Sequence, residues 1–526
     1  MVQHVRSEVS LLDVKRRRYI LASLMVAMFL SAMEGTIVAT AMPTIIGDLG
    51  GFSLFAWVFS LFLLTQVATI PIYGRLADVY GRKRVFTVGI IIFLFGSLLC
   101  GLSHTMVMLI ASRAVQGIGA GAVQPIATTI VGDIYTLEER ARIQGYISSV
   151  WALASVIGPS LGGLIVQTIG WSWVFWINLP IGLLAMLGVE VFHHERRMVK
   201  QHSIDWIGSL LLMVGTSALI LALVEGGVNW AWSSAPILVS LCAFVVFAWL
   251  FILRERMAKE PILPLGLMKR PTIGYANLLS LITGGVTYGI SSFTPTFAQG
   301  VLGTSSFVAG LTIATLSIGW PIAATFSGAI IIRRGYRFTA VLGMTVIVAA
   351  TVLYASIISP ALSPWALAAA TTLFGFGLGF ASNASLLAVQ TSVNYTQRGV
   401  ATGANMFART LGSSLFVAAL SSVMNSEILK QLKAAADQPL LRRQLNQLGS
   451  HLEVTNTLLN VTARQHLTPG LLRFLARALT AGVDRAYWWL LAITVLGFLF
   501  AWLMPKGIPT EEERKGDAPP VVTGAK

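Results

Sequence analysis

The sequence predicts an all-α integral membrane protein with fourteen transmembrane helices. Of its 526 residues, 55% are hydrophobic and 11% are charged, whereas soluble proteins carry about 25% charged residues. Uncharged segments long enough to cross a bilayer recur along the chain. The net charge of +15 is concentrated in alternate connections between these segments, as expected of cytoplasmic loops. This placement explains the excess of basic residues without any need for nucleic-acid binding. The composition excludes a soluble globular domain.

Fourteen apolar segments define the predicted crossings. They lie near 19–42, 55–74, 85–103, 106–132, 143–167, 172–192, 204–226, 235–253, 272–298, 306–332, 338–358, 364–389, 399–424 and 486–504. Five short loops contain no Lys or Arg and are predicted on the outer side: 43–54, 168–171, 227–234, 299–305 and 359–363. The alternate loops are basic. The pattern predicts a multi-pass protein of the inner (cytoplasmic) membrane with both termini in the cytoplasm.

Three motifs of the first half return in the second half, 254 to 258 positions later. The matches are Gly74 and Gly81 with Gly328 and Gly335, 117–122 with 375–380, and 154–161 with 408–415. Such a duplicated bundle is typical of alternating-access transporters. The predicted organisation is a cytoplasmic segment 1–18, a six-helix bundle 19–193, two inserted helices within 194–270, a second six-helix bundle 271–504, and a cytoplasmic tail 505–526.

One outer loop, at about 425–485, is predicted to be long. Within it, Thr468 and Pro469 suit the N-cap and the first position of a helix. Apolar residues follow at spacings of three to four, at Leu471, Leu475 and Leu479. This pattern predicts an amphipathic helix on the outer membrane surface or over the mouth of a cavity. A solvated helical lid is the alternative.

The first apolar segment contains one carboxylate, Glu34. It lies roughly 12 Å along the helix from the nearer end, where a charge costs roughly 2.5–3.5 kcal/mol on insertion scales. Arg113, in the fourth segment, lies about 11 Å from the same side. Their matched depth predicts a pair. Burial favours the neutral acid and Arg113 favours the carboxylate, so Glu34 suits proton coupling; a permanently ionised structural pair is the alternative.

Four motifs together resemble those of the major facilitator superfamily. Residues 74–84 resemble its signature between helices two and three, and residues 109–121 resemble its helix-four motif. Residues 158–163 are similar to the helix-five motif of antiporters. The stretch 31–43 resembles the helix-one motif of the fourteen-helix drug:proton antiporter family, in which aspartate is usual where this chain has Glu34. The stretch 171–180 also resembles that family.

The resemblance implies a cytoplasmic gate in which Asp78 acts as a latch. Physically, Asp78 is suited to meet the N-terminus of a neighbouring helix or an arginine. The predicted gate residues are Gly74, Asp78, Gly81, Arg82, Asp133 and Arg140. In the second half, the position matching Asp78 is Ile332, which predicts an asymmetric gate. The alternative is that the basic residues only set topology.

The antiporter motif comprises Gly158, Pro159, Gly162 and Gly163. Proline removes a backbone donor, and small residues permit close helix packing. A bend here is predicted to limit leakage between access states; a passive kink is the alternative. A possible substrate cavity comprises Met33, Trp57, Trp151, Tyr288, Phe293, Trp320 and Arg409. Packing or lipid exposure is the alternative for each of them.

No constellation in the sequence indicates an enzyme. The chain has no Gly-Lys dipeptide and hence no P-loop, and no metal site or cofactor is predicted. The predicted function is proton-coupled export of lipophilic or amphiphilic, often cationic, drugs. A same-fold transporter of a metabolite, siderophore or lipid is the alternative. The predicted partners are the small-molecule substrate, protons and the lipid bilayer, and the sequence leaves a periplasmic adaptor protein open.

Overall fold

The structure is a computed structural model that describes residues 2–49, 54–193, 205–226, 230–258, 261, 265–304, 306–435 and 467–507. Over these residues it contains α-helices and one short 3₁₀ helix, and no strand beyond an isolated bridge. The α-helices are α1 Val2–Leu49, α2 Phe55–Tyr80, α3 Arg82–Gly101, α4 Met106–Ile134, α5 Leu137–Thr168, α6 Ser172–Trp176, α7 Asn178–Phe192, α8 Trp206–Glu225, α9 Ala235–Met257, α10 Leu265–Met268, α11 Pro271–Gly300, α12 Ser306–Ala314, α13 Leu316–Ile357, α14 Pro364–Thr391, α15 Arg398–Ala435 and α16 Pro469–Leu503.

Three of the helix starts carry side chains that cap free backbone N–H groups as follows. Thr105 accepts a hydrogen bond from Met108 N at the start of α4. Thr136 forms a complete capping box with Glu139 at the start of α5. At α16, Thr468 accepts from Leu471 N. These caps fix helix ends that hydropathy alone places only within a few residues.

Two glycines separate helices in the same way in the two halves of the chain. Gly81 has φ 95° and ψ 148° between α2 and α3. Gly335, 254 positions further on, has φ 86° and ψ 171° and breaks α13 into two parts. Positive φ is strained for residues with a Cβ, so glycine suits both positions. The shared conformation supports the internal duplication that the sequence predicts.

Eleven helices of the described residues are long and apolar enough to span a membrane. One of them, Val308–Ile357, contains the break at Gly335 and therefore provides two crossings. In addition, α5 and α11 have spanning lengths of 32 and 30 residues. The architecture is consistent with fourteen crossings, and the prediction of an all-α membrane protein is confirmed.

The described chain forms two compact units. The first comprises the chain up to Asn277 together with Leu386–Phe407, and the second comprises Leu278–Ser385 and Ala408–Gly507. In the first unit, α1, α2, α3, α4, α5 and α7 share a buried apolar core. In the second, α13 packs against α16. Both mid-membrane arginines discussed below lie inside a unit, one in each.

The region predicted as a long outer loop differs from the prediction. Helix α15 continues to Ala435 and α16 begins at Pro469, so the loop is shorter than 425–485; residues 436–466 lie outside the described part. The predicted amphipathic helix forms, but it is the first part of the final membrane helix. Its apolar stripe is buried within the second unit, at Leu471, Leu475 and Leu479. The same spacing serves interfacial contact and helix packing, so sequence could not separate them.

Candidate functional site

Glu34 on α1 and Arg113 on α4 contact each other directly. Arg113 Nη1 donates to Glu34 Oε1 at 2.5 Å, and the two side chains are at most 1% exposed. Because charges in a low-dielectric interior interact strongly, the contact lowers the cost of burying both groups. The structure therefore brings together the two residues that depth matching had paired.

Three polar residues that the sequence analysis did not select complete this cluster. Asn178 Nδ2 donates to Glu34 Oε2 at 2.6 Å, and Arg113 Nη1 also donates to Gln116 Oε1 at 2.6 Å. Gln116 Nε2 in turn donates to Ser97 Oγ at 2.7 Å. Helices α1, α3, α4 and α7 thus meet at one buried polar cluster. Asn178 lies in the stretch 171–180 that carried the family resemblance, which was the available signal.

The packing of α3 on α4 depends on a glycine at this level. A Cβ on Gly96 would lie 2.5 Å from the Cα of Gln116, closer than real Cβ contacts. The absent side chain lets the two helix backbones approach. As a result, Gln116 reaches Ser97, the residue that follows Gly96.

Arg113 is also held from α2. Its Nε donates to the Val58 carbonyl at 3.1 Å, and its guanidinium carbon lies 4.0 Å from the centre of the Phe62 ring. This is within cation–π range. Among the described residues, Arg113 Nη2 and Asn178 Oδ1 have no hydrogen-bonding partner. The cluster therefore fixes a carboxylate with donors on both oxygens while retaining two buried polar atoms with unused capacity.

Asp78, at the end of α2, contacts the N-terminus of α15. It accepts hydrogen bonds from Gly399 N at 2.9 Å and from Val400 N at 2.7 Å. Arg82 Nη2 lies 2.9 Å from the same carboxylate. The first N–H groups of a helix have no intrahelical partner and carry a partial positive charge. The structure thus gives Asp78 both kinds of partner that its sequence position suggested.

Asp133 extends this charged cluster. Arg82 Nε lies 3.1 Å and Arg398 Nη1 lies 2.7 Å from its two carboxylate oxygens. Arg398 also donates to the Gly132 carbonyl at 3.1 Å. Arg140 Nε donates to the Tyr135 carbonyl at 2.8 Å, just before the start of α5. Arg398 joins this set although it is not among the gate residues that the sequence predicts.

His193, which follows α7 outside its membrane span, lies within electrostatic reach of this cluster. Burial lowers the pKa of His193 to about 4, an effect that the Asp133 carboxylate partly opposes. A histidine with this pKa is neutral at physiological pH. The positive charge of the cluster therefore resides on its arginines.

Glycines set the close approaches beside both clusters. A Cβ on Gly74 would lie 2.7 Å from the Gly399 carbonyl oxygen, so α2 and the start of α15 are nearly in backbone contact. In the antiporter motif, a Cβ on Gly158 or Gly162 would overlap the hydroxyl of Thr36 or Thr40 on α1, respectively. Gly163 faces no atom within 4 Å. The side chain of Pro159 lies outside the described part of the structure.

The residues predicted to line a cavity fall into both units. In the first, Met33 is fully buried and Trp57 and Trp151 are half-buried. In the second, Phe293 and Trp320 are buried and Tyr288 is 48% exposed. The guanidinium carbon of Arg409 lies 5.0 Å from the centre of the Trp320 ring.

Comparison with known proteins agrees with the geometry. The family model described as Major Facilitator Superfamily matches residues 24–417. The chain belongs to the major facilitator superfamily. A protein of Bacillus subtilis (strain 168) named multidrug transporter protein MdtP is 36% identical over 411 residues, covering 78% of this chain and 76% of its own length. Multidrug resistance protein 3 of the same organism is 36% identical over 420 residues, covering 80% and 81%.

Similarity also extends to a fungal relative and to a solved structure. A Fusarium protein named MFS-type efflux pump LUC4 is 30% identical over 485 residues, covering 90% of this chain and 85% of its own. The crystal structure of the human organic anion transporter MFSD10 (TETRAN) superposes with a TM-score of 0.60 at 14% identity, covering 92% and 99% of the two chains. At that identity the match shows the fold. Together with the family match and the named relatives, these findings show a multi-pass membrane transporter.

Proposed function

We propose that this transporter is a proton-coupled antiporter that exports lipophilic or amphiphilic compounds, many of them cationic, by alternating access. Relatives that cover most of the chain are named multidrug transporters and efflux pumps, which supports drug export. The single observation that carries the proton coupling is the burial of Glu34 against Arg113, because a carboxylate inside a membrane bundle marks an ion or proton pathway.

Glu34 is the proton carrier in this mechanism. Ionised, it accepts hydrogen bonds from Arg113 and Asn178; protonated, it loses the charge that attracts both donors. A cationic substrate and a proton then compete for one negative charge. Protonation from the outer side disfavours a bound cation, and deprotonation toward the cytoplasm admits the next. The proton gradient thereby drives export.

The contacts of Asp78 supply the gating step. Its two hydrogen bonds to the start of α15 hold that helix against the end of α2. Beside them, the ion pairs of Asp133 with Arg82 and Arg398 connect α4 to the starts of α3 and α15. Breaking this set opens one side of the transporter. We place the protein in the inner (cytoplasmic) membrane with both termini in the cytoplasm, because the basic residues follow the positive-inside rule.

Transport of a fluorescent cation tests the proposed function. Expression in an efflux-deficient bacterium is expected to lower ethidium accumulation, and a protonophore is expected to restore it. The purified protein in liposomes is expected to move protons in the direction opposite to ethidium. Accumulation that does not respond to the protonophore would contradict proton coupling, and Glu34→Gln expressed at the same level serves as the control.

A further inference from the structure

Arg409 lies near the middle of a predicted membrane crossing. It is eleven residues from the start of α15 at Arg398, which corresponds to about 16 Å of helix. The hydrocarbon core of a bilayer is about 30 Å thick, so an arginine at this depth is close to the midplane. The lipid headgroups are then roughly 15 Å away on either side. Arginines at such positions are rare, and they pair or line a pathway.

No acidic partner neutralises Arg409 within the described residues of the chain. Over that part of the structure no carboxylate forms an ion pair with Arg409, and its guanidinium makes no hydrogen bond. Its contact is with the face of Trp320, at 5.0 Å. The phenol of Tyr288 is the titratable group within electrostatic range. Arg409 is half-buried as a residue.

The backbone fixes the position of Arg409. A Cβ on Gly284 would overlap the Arg409 carbonyl oxygen, and a Cβ on Gly412 would overlap the Leu281 carbonyl oxygen. Helices α11 and α15 are therefore in backbone contact at Arg409 and again three residues later, at Gly412. In the first half of the chain, the matching position is Ser155. The charge is thus an addition to the duplicated framework, placed where two helix backbones meet.

We propose that Arg409 and Trp320 form a recognition site for exported molecules that carry an acidic group on an aromatic body. A guanidinium offers planar N–H pairs that match a carboxylate or sulfonate in bidentate fashion. The indole holds the guanidinium by a cation–π contact and offers an apolar surface to the aromatic body of the ligand. The inference rests on the proposed export function and extends its substrates from cations to acidic amphiphiles.

Three probes with one aromatic body and different charges test the site. We would measure binding of 1-pyrenebutyrate, 1-pyrenebutanol and 1-pyrenebutylamine to the full chain in nanodiscs, using energy transfer from tryptophan to pyrene. Arg409→Gln is expected to weaken pyrenebutyrate binding by at least about tenfold, which corresponds to about 1.4 kcal/mol. Binding of the alcohol is expected to stay within about twofold. The affinity ratio of probes on one preparation does not depend on the folded fraction.

Two further variants make the test specific. Arg409→Lys keeps the positive charge but lacks the planar pairs of N–H donors. Its affinity for pyrenebutyrate is therefore expected to fall by an intermediate factor, about threefold to fivefold. Arg337, which lies 4.8 Å from the centre of the Trp502 ring in the same unit, provides the matched control. Arg337→Gln is expected to leave all three affinities unchanged. An equal loss in Arg337→Gln, an equal loss for all three probes in Arg409→Gln, or unchanged anion binding would each overturn the proposal.

The binding test is independent of the proton-coupling test. It uses no gradient, so a failure of ethidium export would contradict the proposed function without affecting the affinity ratios. In the opposite case, Arg409→Gln that exports ethidium normally and still binds pyrenebutyrate normally would remove the acidic-substrate site alone.

Discussion

The two mid-membrane arginines have opposite surroundings. Arg113 in the first unit donates to Glu34 at 2.5 Å, and it also donates to Gln116 Oε1 and to the Val58 carbonyl. Arg409 in the second unit rests on Trp320 with no ion pair among the described residues. The first charge is neutralised inside the protein, so its role depends on a proton reaching Glu34. The second has no ion-pair partner among the described residues. We therefore propose that the same residue type serves coupling in the first unit and ligand recognition in the second.

The largest expected effect separates these two roles in transport. Glu34→Gln is expected to lower proton-coupled ethidium export by at least about 100-fold, as for loss of an essential proton-transfer group. Glu34→Asp is expected to keep partial activity, because it retains the acid. Arg409→Gln is expected to export ethidium within about twofold of the unmodified protein. Initial efflux rates in proteoliposomes check all three. Full proton flux in Glu34→Gln would remove Glu34 from the mechanism.

Thermal stability should separate the two arginines next. Arg113→Met leaves the buried Glu34 carboxylate without its main partner, which is expected to cost about 3–5 kcal/mol. Arg409→Met breaks no ion pair within the described residues and is expected to change stability by less than about 1 kcal/mol. The double variant Glu34→Gln, Arg113→Met is expected to be more stable than Arg113→Met. Melting in detergent measures the series, and equal losses at the two arginines would contradict the contrast.

The gate extends the comparison because its ion pairs lie in the first unit, whereas the second unit has Ile332 at the position that matches Asp78. Asp78→Asn weakens two hydrogen bonds to α15, at an expected cost of about 1.5–3 kcal/mol to the contact. Labelling of Ala77→Cys and Ala401→Cys, which are buried positions beside the contact, is expected to increase in that background. Cys100 and Cys242 would first be replaced by serine. Ile332→Asn is the control in the second half, and labelling that is unchanged by Asp78→Asn would limit this motif to setting topology.

The smallest expected effect concerns the amide that holds Glu34 from α7. Asn178→Ala removes one donor to a charged oxygen and is expected to lower ethidium export by about tenfold. Asn383, another buried asparagine, donates to the Ala324 carbonyl at 3.0 Å in the second unit and provides the matched control. Asn383→Ala is expected to affect stability with less effect on proton coupling. Similar transport losses in the two variants would mean that Asn178 acts through packing alone.

The sequence by itself determined the fold class, the crossings and the family. Hydropathy identifies the membrane spans because a helix in lipid must satisfy its backbone hydrogen bonds internally. Each span therefore appears in the sequence as a long apolar segment. Depth was also predictable, because a fixed rise of about 1.5 Å per residue converts position into height in the bilayer. The matched depths of Glu34 and Arg113 therefore predict that they pair. The matched glycines Gly81 and Gly335 were equally visible, since glycine is the residue that suits positive φ.

Tertiary structure decided which side of each helix meets which neighbour. Asn178 reaches Glu34 across 144 positions of sequence and Gly399 reaches Asp78 across 321, and neither distance follows from helical rise. The final helix shows the same limit, because an apolar stripe predicts a buried face without naming its neighbour. The surroundings of Arg409 depend most on the tertiary structure. Its depth was readable from the sequence, whereas the missing acidic partner and the ring of Trp320 emerged only when α11, α13 and α15 were packed together.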